Sequence, residues 1–466
     1  MPWDSSTLQV APLSADGSSI SLGSPTVVAG GPGVSVGQPY WCRDGGLLFV
    51  DDRSGWWLPY RIAPGQVAHH DGLAAVALVD RRAEFHGPDW VFGQHTFDEL
   101  HDGSVVTRMS IAGRDHLVVL RPSSAGLDAP GWSVEEIDQP CVSLSVVASP
   151  DGRSAVVLGS TPTGAQLVLS IDLAGRAAPR QLSAAPKASF SPEQVSVSTT
   201  RIGMTGSIPV PGLFFAPVAP VAPVGVVEPI DPSPPPLVVF CHGGPTARAE
   251  PGYDPVVQFF TSRGIAVASV DYRGSTGYGR NYREMLRGAW GEADVDDCVA
   301  FAESLAGDGL VDGGRMAIRG TSSGGLTALA ALIGGRCFAG AVAWYGVTDL
   351  MALADDTHDF ESRYLDGLVG PLPDAADTYR DRSPIHHGAD MVGRVLLLQG
   401  SDDPIVPLGQ AERYAAEMMA AGIDCRLVVF DGESHGFRKA ETIEAALDAE
   451  FDFYCELFGL EASDGT

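Results

Sequence analysis

Residues Met316 to Leu332 read MAIRGTSSGGLTALAAL, and the remaining segments take their meaning from this one. Met316 to Gly320 is a short apolar run closing on glycine, the pattern of a buried strand. From Gly325 onward the sequence is rich in Ala and Leu, the pattern of a buried helix. Between them stands Gly320-Thr321-Ser322-Ser323-Gly324, a G-x-S-x-G sequence. Strand, tight turn and helix together make this pattern an elbow that presents its serine hydroxyl above a sheet. The glycines suit such a turn, which leaves little room for a Cβ and needs unusual φ/ψ at its centre. The following helix would point its N-terminus at the same place, where backbone N–H groups favour developing negative charge. Without a strand, a helix and chemical partners, the same five residues would be an inert Gly/Ser-rich turn.

The chain has 466 residues, which makes two domains the expectation. It is 45% hydrophobic, enough for a large core, and its formal net charge is −28. Acid spread this widely repels nucleic acid and anionic membrane surfaces, so neither is expected as a partner. The seven cysteines show no paired CxxC spacing, and Cys241, Cys298, Cys337, Cys425 and Cys455 fall in apolar runs. They read as small core residues, with no disulfide and no metal site. Met1-Pro2-Trp3-Asp4 lacks the basic-then-apolar pattern of a signal peptide, and no apolar run reaches the ~18 residues of a membrane span. The expected location is cytoplasmic.

Residues 1 to about 191 read as all-β. Short runs such as Gly46 to Val50, Trp57 to Ile62, Leu117 to Leu120, Ser154 to Leu158 and Gln166 to Ile171 alternate with turns at Asp44-Gly45, Asp102-Gly103, Asp151-Gly152 and Ala174-Gly175. A loose repeat of roughly 45 to 55 residues predicts four-stranded propeller blades, about four of them in this length. A β-sandwich is the rival, and the recurring DG turn between apolar runs favours the propeller. Residues 192 to 236 predict short strands at Gln194 to Thr199 and Gly212 to Pro217 and contain the tract PVAPVAPVGVVEPIDPSPPP. Proline this dense excludes helix and central strand, so 216 to 236 is expected to be an exposed, extended loop, with a polyproline ligand as the alternative.

From Leu237 strands alternate with helices. Apolar, β-branched runs at Leu237 to Cys241, Ile265 to Val270, Met316 to Arg319, Ala341 to Trp344, Val395 to Leu398 and Leu427 to Phe430 predict buried strands. Helices are predicted at Asp294 to Ala306, Leu408 to Ala421 and Glu441 to Phe458. This alternation means a mostly parallel sheet with helices on both faces, whose chemistry sits at the carboxyl ends of the strands.

Three polar segments fall at such ends: the elbow with Ser322, Gly400-Ser401-Asp402-Asp403, and Glu433-Ser434-His435-Gly436. The order Ser…Asp…His is that of α/β-hydrolases. A serine hydroxyl needs a base within hydrogen-bond reach, a role His435 fits, and the imidazole needs a carboxylate to fix its tautomer. Spacing alone does not separate Asp402 from Asp403 as that carboxylate. An oxyanion hole needs two N–H donors. Ser323 would give one. The loop His242-Gly243-Gly244-Pro245, with Gly244, would give the other. His386-His387 follows a proline and reads as a loop element rather than a ligand pair.

At these residues the sequence resembles the prolyl oligopeptidase family of serine peptidases, especially its acylaminoacyl-peptidase and dipeptidyl-aminopeptidase-like branch. The matching segments are HGGP at 242–245, DYRGSTGYGRNYR at 271–283, RGTSSGG at 319–325, FESRYLDGLVG at 360–370, GSDDPIVP at 400–407 and GESHGF at 432–437. GQPYWCRDGGLLFVDDRSGWW at 37–57 is similar to one of the family's blades. The resemblance implies a β-propeller at 1–191 followed by an α/β-hydrolase domain at 192–466, and a triad of Ser322, Asp403 and His435. It implies that Val406 lines the specificity pocket, with Trp344 and Tyr345 nearby, or else as ordinary core aromatics. It implies no cofactor and no metal. Ile405 stands where prolyl oligopeptidases proper carry an arginine, which argues against a strict prolyl endopeptidase. Met1-Pro2-Trp3-Asp4 is similar to the interior of a blade, so the expectation is an N-terminally shortened relative of a longer enzyme. That leaves an open cleft, a homo-oligomer completing the ring, or an unstable protein. The function implied is a serine peptidase that cleaves short peptides through an acyl-enzyme, as an exopeptidase. A carboxylesterase and a non-catalytic remnant are the alternatives.

Overall fold

The computed structural model describes residues 1–17, 19–69, 75–184, 191–218, 233–357 and 359–460. Two units divide the chain: Met1–Ala188 with Glu250–Tyr253 and Thr276–Asn281, and Ser189–Ala249 with Asp254–Ser275 and Tyr282–Thr466. Most of the proline-rich tract, residues 219–232, lies outside the described residues.

In the first unit three DG turns each join the first two strands of a four-stranded antiparallel sheet. Asp44-Gly45 precedes Leu47–Asp51, Asp102-Gly103 precedes Val105–Ile111, and Asp151-Gly152 precedes Ser154–Ser160. The reason is local. Gly45, Gly103 and Gly152 have φ of 86°, 79° and 62°, and each aspartate accepts a hydrogen bond from the N–H two residues on. The strands then follow in sequence order, as in propeller blades. Among the described residues, the expectation of about four blades meets three four-stranded sheets and two two-stranded pairs near the N-terminus. Ser6–Val10 pairs with Thr26–Gly31, and the hairpin Leu13–Asp16/Ser19–Leu22 between them is exposed on both faces and so has no core to join.

The second unit is an eight-stranded sheet. Its strands are β1 (Thr199–Thr205), β2 (Ile208–Phe215), β3 (Leu237–Cys241), β4 (Ala266–Val270), β5 (Met316–Thr321), β6 (Gly340–Trp344), β7 (Arg394–Gly400) and β8 (Cys425–Phe430). Their spatial order is β1-β2-β4-β3-β5-β6-β7-β8, antiparallel at β1/β2 and β2/β4 and parallel elsewhere. Alternating side chains put two helical layers on it. Leu213 and Phe215 join the core built with α1 (Pro255–Thr261) and, at the C-terminus, Ala440–Phe458. Gly212, the residue before Leu213, lies against Phe301 of α2 (Ala293–Gly307) on the other face.

Two strand expectations shift. Val195 and Ser196 are not in a strand: Pro192–Gln194 is a single 3-10 turn, and Ser196 exchanges both backbone bonds with the Gln258 side chain. The strand begins at Thr199. Conversely, β2 starts at Ile208 despite Pro209 and Pro211. Along 208–211 it pairs only with β1, so its other edge needs no N–H donors.

Candidate active site

The elbow is built as its sequence requires. β5 ends at Thr321, Ser322 has φ 54° and ψ −120°, and α3 (Ser323–Ala330) starts at the next residue. A non-glycine residue at positive φ costs of order 1–3 kcal/mol and persists only when neighbours hold it. Here the Ser322 N–H donates to Trp344 O at 3.0 Å, and Ser322 O accepts from Gly325 N at 2.9 Å and Val347 N at 3.2 Å. Gly324 has no room for a side chain, since a Cβ would stand 2.4 Å from Cys241 O and 2.7 Å from His242 O.

His435 lies in the loop after β8 and Asp403 in the loop after β7. His435 Nε2 is 2.9 Å from Ser322 Oγ, and His435 Nδ1 is 2.8 Å from Asp403 Oδ2. The structure thus brings together the three residues that the sequence placed at separate strand ends. It also separates the two aspartates. Asp403 is 5% exposed, and its Oδ1 accepts from Ile405 N and Val406 N, each at 2.9 Å. Asp402 is exposed, and its carboxylate accepts from Ser401 Oγ. The two loops are tied by Asp402 N donating to Glu433 O at 2.9 Å. Glu433 itself is 2% exposed and accepts from Arg438 N and Lys439 N, which holds its carboxyl below the usual range. It therefore braces the His435 loop.

The loop after β3 reaches the elbow. A Cβ at Gly243 would lie 3.2 Å from Thr321 O and 3.5 Å from Ser322 Cβ, and Gly244 follows at φ 124°. Ser323, next after the serine, is 4% exposed. His242 is a structural member of that loop: its ring stacks on Tyr272, its Nε2 is 2.8 Å from Ser275 Oγ, and Tyr272 OH donates to His242 O at 2.8 Å. Desolvation lowers its pKa to about 4, so it stays neutral. The segment 271–283 thereby acquires part of its purpose, which sequence patterning did not reveal.

Of the three residues expected around the specificity pocket, Tyr345 stands beside the imidazole. Its ring is edge-on to His435 with centroids 4.9 Å apart, and its φ is 39°. Burial raises its hydroxyl pKa. Val406 is 1% exposed and serves Asp403 through its N–H. Trp344 is a core residue, the second of the two readings open for it. It is 5% exposed, and its indole N–H donates to Glu450 Oε2 at 2.7 Å. Glu450 also pairs with Arg319, whose guanidinium lies between the rings of Phe240 and Trp344, and accepts from Tyr454 OH. A buried indole N–H needs an acceptor, and the one present lies below the sheet.

A strained serine at a strand–helix elbow, a histidine and a buried carboxylate, on a sheet of this order, define an α/β-hydrolase fold. The model of the prolyl oligopeptidase family matches residues 251–461. A solved puromycin hydrolase is 35% identical, with a TM-score of 0.90 over 100% of this chain and 67% of its own. A puromycin-hydrolysing peptidase of Mycobacterium tuberculosis is 36% identical, with a TM-score of 0.89 over 99% and 68%. Dipeptidyl aminopeptidase BIII of Pseudoxanthomonas mexicana is 32% identical over 220 residues, 46% of this chain and 32% of that protein. Acylamino-acid-releasing enzyme 1 of Oryza sativa subsp. japonica is 29% identical over 218 residues, 44% and 28%. The chain belongs to the prolyl oligopeptidase family, with a β-propeller-type unit followed by an α/β-hydrolase unit. It spans about a third of the length of the curated relatives that it matches.

Proposed function

We propose that this chain is a serine peptidase that hydrolyses short peptides through an acyl-enzyme, acting as an exopeptidase of the acylaminoacyl- or dipeptidyl-peptidase kind. The observation that carries the reading is the continuous hydrogen-bond chain Ser322 Oγ, His435, Asp403 at 2.9 and 2.8 Å. Ser322 Oγ attacks the scissile carbonyl while His435 Nε2 takes its proton. Asp403 holds Nδ1–H and stabilises the imidazolium. The tetrahedral oxyanion is received by the N–H groups of Ser323 and Gly244. His435 then gives its proton to the leaving amine, and water repeats the sequence on the ester of Ser322. Tyr345 and Val406 border the residue before the scissile bond. The catalytic domain in this reading is 192–466, and the propeller is 1–191.

The names of the relatives support a peptide or aminoacyl amide as substrate. The seven cysteines are all unpaired, which suits a reducing compartment, so the reading places the enzyme in the cytoplasm. Among the described residues no helix is long and apolar enough to cross a membrane. A panel of aryl anilides with free or N-acetylated termini, puromycin, and an aryl ester of the same acyl group tests the proposal. Turnover of at least one amide, abolished by Ser322→Ala, is expected. Turnover of the ester alone would replace the peptidase with a carboxylesterase.

A further inference from the structure

Gln399 is the penultimate residue of β7 and is 1% exposed. Its Nε2 lies 2.9 Å from Val406 O and 3.2 Å from Asp403 Oδ2. Both partners are pure acceptors, so only the amide nitrogen of Gln399 can face them. Asp403 Oδ2 is also the oxygen that holds His435 Nδ1, while Oδ1 accepts Ile405 N and Val406 N. The four bonds fill the lone-pair positions of the carboxylate, which then cannot turn without losing donors.

We infer that Gln399 is a positioning residue for the triad: it locks the Asp403 carboxylate toward His435 and moderates the charge on the oxygen they share. The inference rests on the proposed role of Ser322, Asp403 and His435. Gln399 touches no reacting atom and acts through Asp403. The bond to Val406 O closes the Asp403–Val406 turn from beneath, so the same amide fixes both turn and carboxylate.

Other charged or titratable groups near this corner are engaged elsewhere. Asp402 is held by Ser401, Glu433 by Arg438 N and Lys439 N, and Arg319 by Glu450. Tyr345 lies against His435. A pH effect of changing Gln399 must therefore pass through Asp403 and His435.

The experiment compares wild type, Gln399→Leu, Gln399→Met and Gln399→Glu by pH-dependent kcat and KM on one substrate, with thermal melting as the folding check. Gln399→Leu and Gln399→Met lose one bond to a charged acceptor, and kcat is expected to fall about tenfold with KM nearly unchanged. Their acid limb moves to higher pH, because the undivided charge of Oδ2 holds the imidazolium more firmly. In Gln399→Glu the protonated acid still donates to Asp403, so kcat is retained just above the acid limb and falls at higher pH as the second carboxyl ionises beside the first. A purely space-filling role predicts equal losses in all three variants with an unmoved pH profile, and that result overturns the inference. So does a kcat within twofold of wild type in the folded Leu and Met variants. An inert wild type would instead overturn the proposed function, and this inference with it.

Discussion

Replacing Asp403 with asparagine should abolish nearly all turnover while leaving the fold in place. The substitution keeps shape and removes charge, so its effect follows from which side the new amide nitrogen takes. On the Oδ1 side it would face Ile405 N and Val406 N, two backbone donors that cannot change. On the Oδ2 side it would face His435 Nδ1 and Gln399 Nε2. Here His435 can adapt by changing tautomer, whereas Gln399, held nitrogen-first by Val406 O, only loses its bond to this atom. The nitrogen therefore goes to the His435 side, Nδ1 becomes an acceptor, and Nε2 carries the proton. A protonated Nε2 cannot take the proton of Ser322 Oγ, 2.9 Å away. A wrong tautomer of this kind costs about 10⁴ in kcat, or about 5.5 kcal/mol of transition-state stabilisation. The assay is kcat on an aryl ester for wild type, Asp403→Asn and Asp402→Asn, each checked by thermal melting. Asp402→Asn should stay within about twofold, because its exposed side chain bonds only at the surface. A folded Asp403→Asn variant that keeps a tenth of wild-type activity would refute the reasoning, as would equal losses at both positions.

Glu450→Ala should cost about 3–5 kcal/mol in denaturant unfolding of the second unit, because it strips the buried Arg319 charge, the Trp344 indole and the Tyr454 hydroxyl of a shared acceptor; a loss under about 1 kcal/mol would show that water or another group replaces it. Gly324→Ala should prevent accumulation of soluble folded protein, since its Cβ would collide with the Cys241 and His242 carbonyls, and a folded, active Gly324→Ala enzyme contradicts the tight elbow. Asp294 is buried, accepts from Gly291 N and Thr327 Oγ1, and is pushed up to about 6 by desolvation. The native state therefore holds its proton more tightly than the unfolded chain, and this contribution to stability fades as pH rises from about 4 to about 6. Asp294→Asn should be isostable with wild type near pH 4 and more stable by about 3 kcal/mol above pH 7. His242, lowered to about 4, has the opposite slope over an overlapping range, so the difference between variant and wild type is the quantity to measure; a flat difference refutes the assignment.

What the sequence made legible follows from where its signals are local. The buried strands and the elbow were readable because apolar runs of β length ending in Gly or polar residues have few other uses, and the DG turns marked the first hairpin of each propeller-type sheet for the same reason. The proline-bearing start of β2 was not readable. Along 208–211 it is paired by β1 alone, and that depends on where β4 ends, a fact about another strand. Gln194 to Ser196 misled for a related reason: Gln194 N and Val195 N close a local turn, and the backbone bonds of Ser196 go to the side chain of Gln258, far away in sequence. At the site, Ser322, His435 and the Asp402/Asp403 pair stood out as polar residues at strand ends. The choice of Asp403 needed tertiary information, as did the bracing roles of Glu433, Tyr272 and Gln399. The two readings open for Trp344 and Tyr345 needed the structure to divide them: Tyr345 stands beside His435, while strand alternation turns Trp344 into the core.

The central claim is that Ser322 is a nucleophile activated by His435. The most direct test is covalent labelling with a fluorophosphonate probe, read by intact mass and peptide mapping. The account predicts one adduct per wild-type chain, located on Ser322, no adduct on folded Ser322→Ala, and slow labelling of His435→Ala. An unlabelled wild type, or an adduct at any other serine, would contradict it.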